Sequence, residues 1–351
     1  MFNGREKMKR DFYTKLYNEL KRSKEVYLIT IVSGEHQGKK LSGQKLLKAD
    51  NNILIEDDNY KELWNEILNN ITLNKGTYNS TYDNKEIFIE YLASKANLVI
   101  CGGGHIALPL CNIGKLLDFN VTVIDDRKEF ANYDRFNLAD EVICGNFEEV
   151  LKERCFGKNS YFVIVTRGHR DDRICLESVI DKGYAYVGMI GSKAKVATVV
   201  TALLEAGYTQ ELIDKVHTPI GLNIGGQTPA EIAVSIAAEI IQEKNINNKT
   251  EISEEILREL IEDKQSKVLA TIVEKLGSSP RGVGTKMLIK EDRSFKGTVG
   301  GGSVENAVYL KSLELIKNRS SDVEIYNLSN SDASTLGMIC GGKVKVVFEY
   351  I

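Results

Sequence analysis

NLVICGGGHIALPL, residues 97–110, decides the fold. A short apolar, β-branched-rich run breaks on three glycines and passes into an amphipathic stretch, HIALPLCNIGKLLDF. Four more runs follow the same plan: VTVIDD, EVICG, YFVIVTRG and YAYVGMIG, each ending in glycine or charge. Uninterrupted apolar runs of this length suit parallel strands buried on both faces. With amphipathic segments such as DDRICLESVIDKG between them, the pattern is βαβ. It implies an α/β fold with a Rossmann-like, doubly wound parallel sheet over residues 95–245. A last helix opens at QTPAEIAVSIAAEIIQEK, with Thr228 as N-cap, Pro229 in the first helical position and Glu231 closing a capping box. The polar NINNKTEISEE after it reads as a linker.

The flanks of this domain repeat each other. Thr30, Ile31, Val32, Gly43, Lys45 and Leu47 recur as Thr271, Ile272, Val273, Gly284, Lys286 and Leu288, at a constant offset of 241. Both copies run helix, strand, strand, helix, strand, which predicts two small α+β domains at 1–94 and 252–351. Their endings, Glu90-Tyr91 and Glu349-Tyr350, differ by 259, so the late copy carries about 18 extra residues. The motifs GSSPRG, GGGS and CGG occur only in the late copy. The early copy has Lys39 and Lys40 where the late one has Pro280 and Arg281, and it holds no cysteine. It is expected to be a degenerate scaffold that serves packing or dimerisation.

Composition narrows the class. An apolar fraction of 42% and a charged fraction of 27% are ordinary for a globular protein. A net charge of −3 offers no electrostatic footprint for nucleic acid or an anionic membrane. No apolar run reaches the roughly 20 residues of a membrane span, and MFNGREKMKRDFYTKL lacks the apolar core of a signal peptide. A cytoplasmic location is the expectation. The six cysteines are scattered without zinc-ligand spacing, so most are expected to be buried free thiols.

Candidate binding residues fall in two groups. In the centre, Gly102, Gly103 and Gly104 with His105 open a helix, where backbone N–H groups and the helix dipole favour an anion. Asp125 ends the next strand 21 residues after Gly104, the place of an acid that holds ribose hydroxyls. The alternative is a glycine turn that merely packs helix on sheet. TRGHRDD follows the fourth strand. Arg167 could clamp a phosphate, and His169 could act as acid, base or ligand. Asp171 reads equally well as an N-cap, and His105 and His217 as structural histidines. Ser192, in GMIGSKAK, opens a helix on the same rim. In the late copy, Gly277, Ser278, Ser279 and Arg281 could form an anion nest or a tight hairpin turn. Gly300, Gly301 and Gly302 precede a helix bearing Ser303 and Glu305, and successive glycines usually serve close backbone approach or positive φ. Cys340 beside Gly341 and Gly342 could ligate a soft metal, carry sulfur, or be a buried thiol in a turn.

On these residues the chain resembles the XdhC/CoxI family, the accessory proteins of xanthine dehydrogenase and other molybdenum hydroxylases. The middle is similar to that family's Rossmann domain in GGGHIA, VTVIDDRKEFANYDRF, ADEVICG, VIVTRGHRDD, YVGMIGSKAK and PIGLNIGGQTPAEIAVSIAAEI. The last part is similar to its other domain in GSSPRGVGTKML, GTVGGGSVENAV and LGMICGGKVKV; the resemblance covers about 250 of 351 residues. Two features depart from the family. The domain order is reversed behind an extra degenerate copy, and Ser303 stands where many relatives have cysteine after the triple glycine.

The resemblance implies a maturation factor that binds the molybdenum cofactor, promotes its sulfuration and delivers it to an apo-hydroxylase. Its partners would be that hydroxylase and a sulfur donor such as a cysteine desulfurase, and the factor itself a homodimer. Gly102–Gly104 and Asp125 would hold the phosphate or nucleotide-like end of the ligand. Cys340, Arg281 and Gly300–Gly302 would meet the metal or pterin end. Two rival classes remain open on the residues: an NAD(P)-dependent oxidoreductase using the central fingerprint, and a nucleotidyl transferase using Asp125-Asp126 or Asp171-Asp172 for a metal. A non-catalytic docking protein is a further alternative.

Overall fold

The computed structural model describes residues 2–22, 25–246, 249–277, 281–327 and 342–351; Ser278, Ser279, Cys340 and Gly341 lie outside them. The chain forms two compact units, Lys95–Ile246 and a second made of Met1–Ser94 with Asn247–Ile351. The early copy runs α1 (Phe2–Arg22), β1 (Val26–Ser33), β2 (Glu35–His36), β3 (Lys39–Lys40), β4 (Lys45–Ala49), β5 (Asn52–Ile55), α2 (Lys61–Asn70), β6 (Tyr78–Tyr82) and β7 (Lys85–Ala93). The central unit follows with β8 (Asn97–Cys101), α3 (Ala107–Leu116), β9 (Asn120–Asp125), β10 (Glu141–Cys144), α4 (Phe147–Glu153), β11 (Ser160–Ile164) and α5 (His169–Val179). It ends with β12 (Tyr186–Met189), α6 (Lys193–Glu205), α7 (Gln210–Ile213) and α8 (Pro229–Ile246). The late part holds β13 (Thr250–Glu251), α9 (Glu254–Glu262), β14 (Lys267–Leu276), β15 (Lys286–Lys290), β16 (Phe295–Gly297), α10 (Gly302–Asn318), β17 (Asp322–Asn327) and β18 (Lys343–Tyr350). No helix among the described residues is long and apolar enough to cross a membrane.

The five runs read from the sequence form one parallel sheet in the order β10-β9-β8-β11-β12. Their continuous apolar character has a simple cause. Leu98, Ile100, Val121 and Val163 point to a core shared with Leu110 of α3 and Ile236 and Ile240 of α8. Val99, Cys101, Ile124 and Ile164 point to the opposite core with Leu151, Leu176 and Leu203. Strands β8, β11 and β12 are buried along almost their whole length, so both of their faces favour apolar side chains, whereas the edge strand β10 has no buried residue. Helix α8 starts as its sequence dictates. Glu231 N donates to Thr228 Oγ1 at 3.3 Å, and Thr228 N donates back to Glu231 Oε2 at 3.0 Å.

The loop before α8 is tied down through Glu239. His217 Nδ1 lies 3.3 Å from Glu239 Oε1, Gly221 N donates to Oε2 at 2.9 Å, and the Tyr186 hydroxyl donates to the same oxygen. Met189 N donates to the His217 carbonyl at 3.0 Å. His217 is thus a structural histidine, the blander of its two readings.

The outer unit contains both copies of the repeat. Strand order β6-β7-β1-β4-β5 in one sheet is matched by β17-β18-β14-β15-β16 in the other. Even the irregularities coincide: β1 bulges between Ile31 and Ser33 against β7, and β14 between Ile272 and Glu274 against β18. The two copies do not form separate domains. Phe12, Leu16, Leu28 and Leu47 share one core with Leu257, Leu269, Leu288 and Ile351. A second shared cluster joins equivalent residues, Val32 with Val273 and Phe88 with Val347, and marks a pseudo-twofold axis. The expected linker is also partly structured. Thr250 and Glu251 add to β7 as a parallel strand, because the edge of β7 still has backbone groups to pair.

Buried charge crosses between the copies. Lys45 Nζ is 2.9 Å from Glu349 Oε2, and the equivalent Lys286 pairs with Glu90, the equivalent of Glu349. Lys9 joins Glu349 at 2.9 Å and Glu56 at 3.2 Å, and the Tyr13 hydroxyl donates to Glu349 at 2.7 Å. Burial works against the Glu349 carboxylate, but Lys45, Lys9 and Tyr13 together hold it well below the usual range. Burial pulls the Lys286 ammonium down, and Glu90 opposes that pull.

Glu90→Leu leaves the Lys286 ammonium buried without its partner and should cost about 3–5 kcal/mol. The double change Glu90→Leu/Lys286→Met should recover most of that loss in calorimetric unfolding of the full chain. The central unit should respond to pH. The hydrogen bond to Glu239 raises the His217 pKa above its ordinary 6.5, against a smaller effect of burial. Its stabilisation is therefore complete below 6.5 and fades as pH rises through the raised value. The central unit's melting temperature should fall across that window, and His217→Gln should flatten the dependence.

Candidate functional site

Parallel strands place all their carboxyl ends on one edge of the sheet. In this strand order the direction of winding reverses between β8 and β11, which opens a crevice beyond their ends. Gly102–Gly104 leave β8 there, and Thr166–His169 leave β11. Val165 N donates to the Cys101 carbonyl at 2.9 Å, so the two turns lie side by side.

The three glycines have separate roles. A Cβ at Gly102, where φ is +111°, would come within 2.5 Å of the Val165 carbonyl oxygen. At Gly103 it would come within 2.2 Å of the Phe130 carbonyl oxygen. These two are required by packing, as the alternative reading had it. Gly104 meets nothing within 4 Å, so its backbone is open to approach. The first turn of α3 begins at Ile106 without a side-chain cap, which leaves its N–H groups available. His105 is exposed beside it.

Asp125 differs from its expected role. It is 1% exposed, and its Oδ2 accepts from Gly103 N at 2.8 Å. Arg127 grips it with both ends of the guanidinium, Nε to Oδ1 at 2.8 Å and Nη2 to Oδ2 at 2.9 Å. Burial raises the carboxyl pKa, but Arg127 and the Gly103 and Arg127 amides outweigh it and keep the group below its ordinary value. A ribose could bind Asp125 only by displacing Arg127. The acid instead holds the glycine turn. Arg135 completes the brace, with Nε donating to the Gly103 carbonyl at 3.0 Å and Nη2 to that of Gly104 at 3.1 Å. Phe130 packs against the first of these arginines, 3.7 Å from the Arg127 guanidinium carbon. Sequence reasoning assigns neither arginine to this brace. The spacing Asp-x-Arg at 125–127 is the signal that could show the first.

The exposed charges of the crevice are others. Arg167 is 61% exposed and 3.9 Å from Asp126. His169 is the first residue of α5, exposed, behind an N-cap glycine that offers no side-chain bond. Behind them Asp172 is fully buried, bound to Thr166 Oγ1 at 2.6 Å and paired with Lys195. It props the turn, so Asp171-Asp172 is not a metal pair. Ser192 caps α6, accepting from Lys195 N at 3.3 Å.

The late copy gathers its motifs by register. Leu276 pairs with Lys343, so Gly277, where GSSPRG begins, and Gly342, where CGG ends, flank one rung of the sheet. Gly300, Gly301 and Gly302 have φ of +128°, +77° and +70°. A Cβ at Gly301 or Gly302 meets nothing within 4 Å, so this backbone too is open. Glu305 is turned inward: it accepts from Gly301 N at 3.2 Å and from the Thr298 hydroxyl, and it caps the helix. Arg281 is exposed at the end of its loop. Among the described residues Cys101, Cys111 and Cys175 are buried free thiols, while Cys144 and Cys155 are exposed. No group of three or more His, Cys, Asp or Glu side chains suited to a metal occurs among the described residues.

Comparison with known proteins agrees with this architecture. Residues 98–240 match the XdhC Rossmann domain, and residues 260–327 match the XdhC and CoxI family. The chain is similar to the uncharacterized protein YqeB of Escherichia coli (strain K12), 31% identical over 159 residues, 45% of this chain and 29% of that protein. It is also similar to a probable xanthine dehydrogenase subunit from Bacillus subtilis (strain 168), 30% identical over 162 residues, 44% of this chain and 45% of that one. The chain thus spans less than half the length of these curated relatives. Its fold is similar to that of a crystal structure of a xanthine dehydrogenase from Bacillus halodurans, with TM-score 0.52, 23% identity, and coverage of 66% of this chain and 65% of that one. The two matched segments are consecutive domains of one family and together make up more than half of the chain, which belongs to the XdhC/CoxI family.

Proposed function

We propose that this chain is an accessory factor for a xanthine dehydrogenase-type molybdenum hydroxylase, and that it binds the molybdenum cofactor to assist its sulfuration or insertion. Its partners are the apo-hydroxylase and a sulfur donor such as a cysteine desulfurase. The observation that supports this best is the crevice at the ends of β8 and β11. There an open glycine backbone at Gly104, an uncapped helix start and the exposed Arg167 meet on one rim. A cofactor carrying a phosphate suits such a rim, because backbone N–H groups and a guanidinium complement the anion. His169 stands beside Arg167 and could hold or pass a proton there. The open backbone at Gly301 and Gly302 offers a second place of approach, in the outer unit. When bound, the group would supply the metal and dithiolene chemistry. This chain's part is to hold it, orient it and present Cys340 as the thiol.

The oxidoreductase reading fares less well. It needs an acid free to bind ribose hydroxyls, and Asp125 has both oxygens engaged by Arg127 and Gly103.

Protein purified from a molybdate-fed host should carry molybdenum and a fluorescent oxidised pterin. Gly104→Ala should keep the fold, since its Cβ has room, yet reduce pterin content by about tenfold, the effect of losing roughly 1.4 kcal/mol of contact. Gly103→Ala should instead damage the central unit itself. Absence of pterin alongside tight NAD binding would favour the oxidoreductase. Cys340→Ala should abolish hydroxylase activation; activation and pterin content both at the unmodified level would remove the thiol from the proposal.

A further inference from the structure

The pseudo-twofold axis of the outer unit carries a cleft of about 350 Å³, lined by residues of both copies. That volume lies at the lower end of the roughly 300–1,000 Å³ spanned by small-molecule sites. Val32 and its equivalent Val273 form the floor, and Glu86 faces its own equivalent, Lys345, across the axis. A symmetric pair of copies would put like charges at this point, and here they differ in sign and pair.

The remaining walls break the symmetry. Strand registers equate Asn79 with Val323, Ser80 with Glu324 and Thr81 with Ile325. On one side of the axis Val323 packs on the shared apolar cluster. On the other, Asn79 takes the equivalent place and donates to the Val273 carbonyl at 2.9 Å, at the bulge of β14. The cleft therefore occurs where the early copy presents the small polar side chains Asn79 and Thr81, with Ser80 between them turned to the other face of the strand. A second exchange faces it. Ser33 donates to Glu86 at 2.8 Å, but its equivalent in the late copy is Glu274. With Lys345 neutralised by Glu86, Glu274 is a half-buried carboxylate with no hydrogen-bond or charged partner among the described residues. It lies three residues before Gly277, where the GSSPRG loop begins.

We infer that this cleft is a small-molecule site formed jointly by the two copies, and that it takes a planar heterocycle with adjacent N–H donors, the amidine-type edge of a guanine ring. A half-buried carboxylate is satisfied by two parallel N–H groups, and the volume admits a bicyclic ring. The side chains of Asn79 and Thr81 supply donors and acceptors of the opposite wall. The site is separate from the crevice of the central unit and does not depend on the role assigned there. It also gives the early copy a task other than scaffolding, because the polar side chains Asn79, Thr81 and Glu86 of the cleft belong to it.

Isothermal titration of the full chain with guanosine tests this. Saturable one-to-one binding is expected. Inosine, which lacks the 2-amino donor, should bind at least about tenfold more weakly, as should guanosine to Glu274→Gln. Asn79→Val, which restores the side chain found at Val323, should abolish binding. Glu274→Gln leaves the polar surface in place and should melt as the unmodified protein does, so it remains informative if Asn79→Val proves unstable. No saturable heat with guanosine, guanosine affinity unchanged in Glu274→Gln, or guanidinium chloride binding as tightly as guanosine would each overturn the inference.

Discussion

Lys45 and Lys286 each lie buried in one copy of the repeat, and each finds its carboxylate in the other copy, at Glu349 and Glu90. A buried ammonium without a partner costs several kcal/mol, so neither copy can close its core alone. The rest of the outer unit follows from that exchange. It aligns β1 with β14 and β7 with β18 about one axis, and stacks Val32 on Val273 and Phe88 on Val347. It also explains why an early copy without the glycine motifs keeps Lys45 and Glu90. Those residues answer to the late copy, not to a ligand. Once the two halves are one chain, positions on the axis are free to differ. Glu86 against Lys345, and Asn79 in the place of Val323, are the outcome.

A second buried carboxylate organises the central unit. Asp125 binds Gly103 N and the Arg127 guanidinium, while Arg135 holds the carbonyls of Gly103 and Gly104. The turn is held rigidly by the protein's own side chains, a preorganisation that would lower the ordering cost of the binding proposed there. The brace also sorts the glycines. Gly102 and Gly103 are small because backbone passes against them, whereas the space around Gly104 is open. A motif that reads as one unit is thus demanded by packing at only two of its three glycines.

Short-range features are legible in the residues. The capping box at Thr228 and Glu231 is a local pattern, and it forms as read. The strands of the parallel sheet are equally plain, since burial on both faces of β8, β11 and β12 leaves nearly unbroken apolar runs. Strands β6 and β17 escape such a reading. YNSTY and DVEIYN are half exposed, and their alternation is too short and too polar to stand out. Strand β13 reads as linker because Thr250 and Glu251 have no pattern of their own and pair only because the edge of β7 is there. Asp125 does sit at the expected strand end, yet its engagement by Arg127 depends on side-chain direction, which spacing does not reveal.

The amino-acid sequence by itself determined the doubly wound sheet, the duplicated outer module and the positions of the glycine turns. Each rests on local periodicity, capping or identity at a fixed offset. Only the tertiary structure decided that the two copies share one core, that Lys45 and Lys286 trade partners, and that Glu274 faces Asn79 across a cleft. The physical reason is range. Burial and partner choice for a charged side chain depend on residues hundreds of positions away, brought near only when both sheets have formed.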